Sequence, residues 1–363
     1  MNRILWLFVI GLLASTGLAR ADEHVLNIYD WAEIFDDQTL ADFTKQSGFK
    51  TVYDNYDSDE MLEAKLLTGG SGYDIVGPAA QPFLAREIKA GVLRELDRAS
   101  VPNWSNLDPA LMKLAEQADP GNKFAVVYGW GTTGLGYNVD AVKKRLPNVP
   151  LDSYALLFNP ENAAKLADCG IAMIDSPTDA LPIALNYLGL DPASENPADL
   201  EKAEQLLIGI RPYLKYINSS PIIDNLANGD ICLALGWSGD VVTARNRAIE
   251  AKNGVHVAYL IPKEGTLTWM ATLAIPADAP NPKAANAFIN YMLDPKVAAH
   301  MTVATTYGNP VPASRAFLPA DIANDPAIFP SEDVKKTLFL LGATTPEYDR
   351  LRTRSWTRVR TGE

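Results

Sequence analysis

Trp237 and Asp240 stand three residues apart in Gly236-Trp-Ser-Gly-Asp240, just past the short apolar run Ile231 to Leu235. A run of that length bounded by glycines reads as a buried strand. In open α/β sheets, ligands sit outside the carboxyl ends of the strands. An indole face and a carboxylate at such a place suit an organic cation, which the ring attracts by cation–π interaction and the carboxylate neutralises. The alternative is a core tryptophan followed by an aspartate that caps a helix beginning near Val241. Rings recur in similar settings: Trp31 lies between Asp30 and Glu33, Trp269 follows a turn, and Tyr307 lies in Thr306-Tyr-Gly-Asn309. Any one of these rings can belong to a core. Four of them at strand ends or in loops describe a box around a cleft.

Patterns for catalysis are scarce. Gly236 to Asp240 misses G-x-S-x-G because Asp240 fills the place of the last glycine. Gly131-Thr-Thr-Gly-Leu-Gly-Tyr-Asn138 lacks both the G-x-G-x-x-G spacing and a G-K-[ST] ending, so it implies no nucleotide cofactor. It reads instead as a flexible segment through which the chain leaves a first lobe. His24, His256 and His300 are scattered, and with two cysteines they make no zinc site. The pair Asp36 and Asp37 reads as helix capping. The expectation is a binding protein without cofactor or metal, not an enzyme.

The elements that must position the box begin after a leader. Arg3, the apolar stretch Ile4 to Leu13 and Ala19-Arg-Ala21 read as a secretory signal peptide over residues 1–21, so the mature chain is expected to be exported. No later stretch offers eighteen consecutive apolar residues. The remaining length calls for two domains. Val25 to Tyr29, Lys50 to Tyr53 and Tyr73 to Val76 read as strands. Helices from Leu40 and from Asp57-Ser-Asp-Glu60 separate them, a βαβαβ rhythm that predicts a largely parallel α/β sheet. The acids of the second helix start suit its macrodipole. A formal charge of −12 disfavours nucleic acid as partner and favours cationic ligands. Cys169 and Cys232 are expected to pair in an oxidising compartment. The basic stretch Arg350 to Arg360 reads as a terminal helix docked by Trp356.

Seven segments carry a resemblance: Leu26-Asn-Ile-Tyr-Asp-Trp31, Gly72-Tyr-Asp-Ile-Val76, Thr133-Gly-Leu-Gly-Tyr-Asn138, Leu226-Ala-Asn-Gly-Asp-Ile-Cys232, Gly236-Trp-Ser-Gly-Asp240, Ile261-Pro-Lys-Glu-Gly265 and Arg352-Thr-Arg-Ser-Trp356. In that order, over nearly the whole mature chain, the protein resembles the periplasmic putrescine/spermidine-binding proteins of bacterial ABC importers. The resemblance implies two discontinuous α/β lobes of the solute-binding type, residues 22–137 plus 263–310 and residues 138–262 plus 311–363, closing on a ligand by a hinge. It implies a Cys169–Cys232 disulfide, an inner-membrane ABC permease as partner and a monomeric receptor.

The same resemblance maps a cation box onto Trp31, Trp237, Asp240, Trp269 and Tyr307. Asp179 falls near an acidic position of the family, with Thr178 as the other register, and Glu33 stands where an aspartate is usual. Three departures follow. Ile34 replaces a usual tyrosine, Ala32 and Ala80 lie near usual serines, and Ala271 stands where an aspartate usually grips the far ammonium. A charge-assisted hydrogen bond is worth about 1.5–3 kcal/mol, so losing one weakens a diamine roughly ten- to a hundred-fold unless Glu33 compensates. The implied ligand is an amine with one end modified or absent, such as an acylated or γ-glutamylated amine or a monoamine. An ordinary putrescine or spermidine receptor and a sensory ligand-presenting module are the alternatives.

Overall fold

The computed structural model describes residues 24–31, 34–56 and 58–362; the leader, Ala32 and Glu33 lie outside the described residues. Strand β1 (Val25–Trp31) buries every second side chain, Leu26, Ile28 and Asp30, as the two-residue strand period requires. The helix Asp37–Ser47 follows, capped by Asp36, whose side chain accepts the Thr39 amide at 2.8 Å, and ended by Gly48 in the left-handed region. Then come β2 (Lys50–Tyr56), the helix Asp59–Thr68 capped by Ser58, and β3 (Ile75–Val76). A π-helical turn at Ala80–Leu84 then leads into the short helix Ala85–Ala90.

The remaining strands are β4 (Ala125–Asn138), β5 (Ile171–Met173), β6 (Tyr216–Ile217), β7 (Leu233–Trp237), β8 (Val257–Leu260) and β9 (Thr268–Ala274). They form one sheet in the order β2-β1-β3-β9-β4-β7-β5-β6, with β8 also paired to β4. The sheet is mixed, not largely parallel. β1 pairs in parallel with β2 and β3, and β5 with β6 and β7, whereas every pairing of β4 and β9 is antiparallel. The βαβ rhythm reports only local crossovers; β9 joins β3 and β4 from far along the chain.

The glycine-rich run after Trp130 is not a flexible exit either. It is the second half of β4, paired with β7 on one side and with β8 on the other over Leu135 to Tyr137, while β9 pairs with Gly131 and Thr132. Its glycines serve close packing: a Cβ on Gly136 would lie 2.6 Å from Val241 Cγ2.

Two large hydrophobic cores flank this crossing. Leu26, Phe43, Val126, Trp130 and Phe288 belong to the first, and Leu135, Leu157, Leu185 and Leu233 to the second. The changeover falls inside β4, between Trp130 and Leu135. The chain crosses again near Leu267 and a third time at Leu338 to Leu341, where alternate residues face opposite cores. The terminal helix Pro346–Thr361 packs on the second core through Trp356, whose indole N–H donates to Asp175 at 2.7 Å. Among the described residues no helix is long and apolar enough to cross a membrane.

Cys169 and Cys232 form a disulfide across a sequence separation of 63 residues, tying the end of the helical segment at Leu166 to the start of β7. By the chain-entropy argument a loop of that length contributes about 4 kcal/mol. Replacing both cysteines with serine is therefore expected to lower the free energy of unfolding by a few kcal/mol in a denaturant titration. An unchanged midpoint would contradict that role.

Candidate functional site

A cleft of about 820 Å³ lies between the two cores, with Trp31, Tyr128 and Met270 on one side and Trp237 and Leu267 on the other. That volume is ordinary for a small-molecule site. Trp31 ends β1, held edge-on against Tyr56 at 5.1 Å, and its carbonyl accepts the Tyr53 hydroxyl. Trp237 is the last residue of β7, so its ring emerges at a strand's carboxyl end. Trp269 in β9 meets Tyr307 in a T-shaped pair, centroids 4.7 Å apart. Two glycines make room for this pair. A Cβ on Gly131 would come within 2.4 Å of the Trp269 ring, and one on Gly239 within 2.4 Å of the Tyr307 ring.

Asp240 lies in the first turn of the helix Ser238–Ala251 and accepts the Tyr307 hydroxyl at 3.2 Å. It does not cap that helix, whose N-terminal flank is Trp237 without a side-chain cap bond. Tyr307 lines the cleft, and Asp240 adjoins it through this hydrogen bond. Asp179 lines the cleft itself, as does Thr178, from the first turn of the helix Pro177–Tyr187. It is 8% exposed and accepts the Thr133 hydroxyl at 2.5 Å as well as the Ser176 hydroxyl. Trp31, Asp179, Trp237, Trp269 and Tyr307 are thus brought to one cleft, with Asp240 one hydrogen bond away.

The opposite end holds what the sequence reading missed. Ile34, Ala79 and Ala271 line it, and Ala79 is the antiparallel bridge partner of Ala271; Ala80 is fully buried instead. Asp59 also lines the cleft, 6% exposed, with one carboxylate oxygen accepting the Ala79 amide at 3.1 Å. Read as one of several helix-start acids, Asp59 carries no local signal that marks it as a site residue. Arg86 and Arg352 line the cleft too, but each is engaged: Arg86 in a bidentate pair with Glu63 at 2.7 and 2.8 Å, and Arg352 with Asp349 at 2.7 Å.

Burial sets the electrostatics. It raises the Asp179 carboxyl above its ordinary range against the hydrogen bonds from Ser176, Thr133 and Trp237, and it raises Asp240 against the bond from Tyr307. Burial pushes Asp59 up to about 7 and Glu87 up to about 8, the charge of Asp59 adding to the latter. Asp30, wholly buried beneath Tyr128, is raised well above the usual range for the same reason. Among the described residues none of Asp59, Glu87, Asp179 and Asp240 forms an ion pair. An isolated buried carboxylate is costly in its charged form. The arrangement accommodates a cation whose carbon chain lies against the rings.

Two α/β cores with a ring-and-carboxylate cleft between them define a ligand-capturing receptor. Residues 38–330 match the family model described as bacterial extracellular solute-binding protein, and the chain belongs to that family. It is 48% identical over 349 residues to the putrescine-binding periplasmic protein SpuD of Pseudomonas aeruginosa, covering 96% of this chain and 95% of that one. It is 46% identical over 351 residues to the putrescine-binding periplasmic protein PotF of Escherichia coli, with 96% and 95% covered. Among solved structures, the spermidine/putrescine ABC transporter substrate-binding protein PotD of Streptococcus pneumoniae superposes with a TM-score of 0.81 at 25% identity, covering 93% of this chain and 99% of that one. These relatives are binding proteins rather than enzymes.

The raised carboxyls have a consequence for stability. With Glu87 at about 8 in the folded chain and near 4.5 when unfolded, the folded state binds more protons across that interval, so stability falls as pH rises through it. Glu87→Gln removes this penalty. The substitution is expected to raise the melting temperature by roughly a few degrees at pH 8 and by less at pH 5. Scanning calorimetry at the two pH values checks this, and a gain that is absent or larger at pH 5 would contradict it.

Proposed function

We propose that the chain is a periplasmic receptor that captures a polyamine between its two lobes and delivers it to an inner-membrane ABC permease. The observation that carries this reading is the cleft itself: three tryptophans and a tyrosine beside carboxylates that have no basic partner among the described residues. The names of the relatives, putrescine-binding and periplasmic, support it, as does the leader read in the sequence. Trp237, Trp269, Tyr307 and Trp31 cover the methylene chain, and Asp240 with Asp179 takes one ammonium. The two lobes close on the ligand by hinge motion, and the receptor works as a monomer.

Specificity is set at the other end. Ile34, Ala79 and Ala271 present an apolar wall there, so selectivity among putrescine, agmatine, spermidine and amines modified at one end differs from that of an ordinary family member. A sensory role would use the same capture with another partner. Loss of amine uptake on deleting the gene separates transport from sensing.

Calorimetric titration of ligand-stripped protein tests the reading. At least one of putrescine, agmatine, spermidine or N-acetylputrescine is expected to bind, and Asp240→Asn to weaken that ligand about ten- to a hundred-fold, as loss of a charge-assisted hydrogen bond does. Silence with every amine, or an unchanged affinity in Asp240→Asn, would overturn it.

A further inference from the structure

The wall at Ala271 looks apolar only along its own strand. Ala271 in β9 bridges antiparallel to Ala79, and the amide of Ala79 donates to the carboxylate of Asp59 at 3.1 Å. Asp59 therefore sits one hydrogen bond from the backbone that faces Ala271, and it lines the cleft. We propose that Asp59, reaching in from the start of the Asp59–Thr68 helix, supplies the carboxylate that receives the second ammonium of a diamine. The proposal rests on the amine-receptor reading and deepens it: the far-end charge has moved to another element, leaving the cleft with a carboxylate at each end.

Its surroundings fit a cation. Glu60 and Glu63 lie on the same helix, and Glu87 and Arg86 on the facing helix Ala85–Ala90; these groups with Asp30, Tyr56 and Tyr128 make up its charged and titratable neighbours. The one guanidinium among them is bound bidentate to Glu63. Glu87 is 0% exposed, and neither of its carboxylate oxygens has a hydrogen-bond partner among the described residues. Such an unpartnered buried acid beside a cleft-lining acid leaves an excess of negative charge that Arg86, shared with Glu63, offsets only in part. Burial holds both carboxyls above their ordinary range, so an arriving ammonium takes the place of a proton on Asp59. Glu87 acts through Asp59 and touches no ligand.

The test compares putrescine with butylamine, which carries the same carbon chain and a single ammonium. Asp59→Asn keeps the acceptor for the Ala79 amide while removing the charge. It is expected to weaken putrescine about ten-fold or more and to leave butylamine within about two-fold. Adding Ala271→Asp to Asp59→Asn is expected to restore putrescine affinity, because a carboxylate returns to the same end. Should Asp59→Asn not fold, Ala271→Lys reads the same point by placing a tethered ammonium beside Asp59: putrescine affinity falls at least ten-fold and butylamine remains. Putrescine binding unchanged by these substitutions, or putrescine and butylamine weakened equally, overturns the proposal while the receptor reading stands. A native chain that binds no amine overturns both.

Discussion

Asp59, Glu87, Asp179 and Asp240 are withdrawn from water around one cleft, and among the described residues no lysine or arginine neutralises them. A charge in that position is stable only with a counter-charge; otherwise the group keeps its proton. The directions of all four carboxyls agree, each raised chiefly by burial. The rings complete the argument. Indole and phenol faces tolerate a methylene chain and attract an ammonium, whereas an anion would meet both rings and carboxylates unfavourably. The arginines that line the cleft do not reverse this, because Glu63 and Asp349 already hold them.

The fold serves this constraint by bringing residues from distant parts of the chain to one place without loose connections. β4 runs through both cores as a continuous strand, and β7 and β9 pair on either side of it. Trp237 and Trp269 sit at matching registers on those neighbours, opposite Thr133 and Gly131. Thr133 in turn donates to Asp179, so one strand sets two rings and one carboxylate at once. Gly131 and Gly239 leave the space that the Trp269–Tyr307 pair occupies. A bulkier residue at either position would push a ring out of the box.

How much of this is legible in the sequence depends on the range of the interaction that fixes it. Trp237 and Asp240 announce themselves through a glycine-bounded apolar run, and β1 through its alternation, since both signals are local. The antiparallel pairing of β9 is not local, and a βαβ rhythm cannot report it. The glycines of β4 resemble a flexible segment because composition does not tell close packing from mobility; Gly136 beneath Val241 decides the matter only once the helix is in place. Asp59 is hidden for a different reason. An acid in the first turn of a helix needs no further explanation, and only the hydrogen bond to Ala79 and the bridge from Ala79 to Ala271 give it a second role. The resemblance to a known family points to the gap at Ala271 but has no means of saying which residue fills it.

In the proposed mode of binding, a ligand cation takes over from protons on buried carboxyls. The most direct measurement is calorimetry of amine binding in buffers of different ionisation enthalpy, between pH 6 and pH 8. An alkyl ammonium resembles the lysine side chain, with a pKa near about 10.4, and stays charged throughout. With Asp59 at about 7 in the free protein, binding should lower that value, release protons near pH 7 and tighten as the pH rises from 6 to 8. Binding that exchanges no protons and has the same affinity across the range, or that takes protons up, would contradict the account.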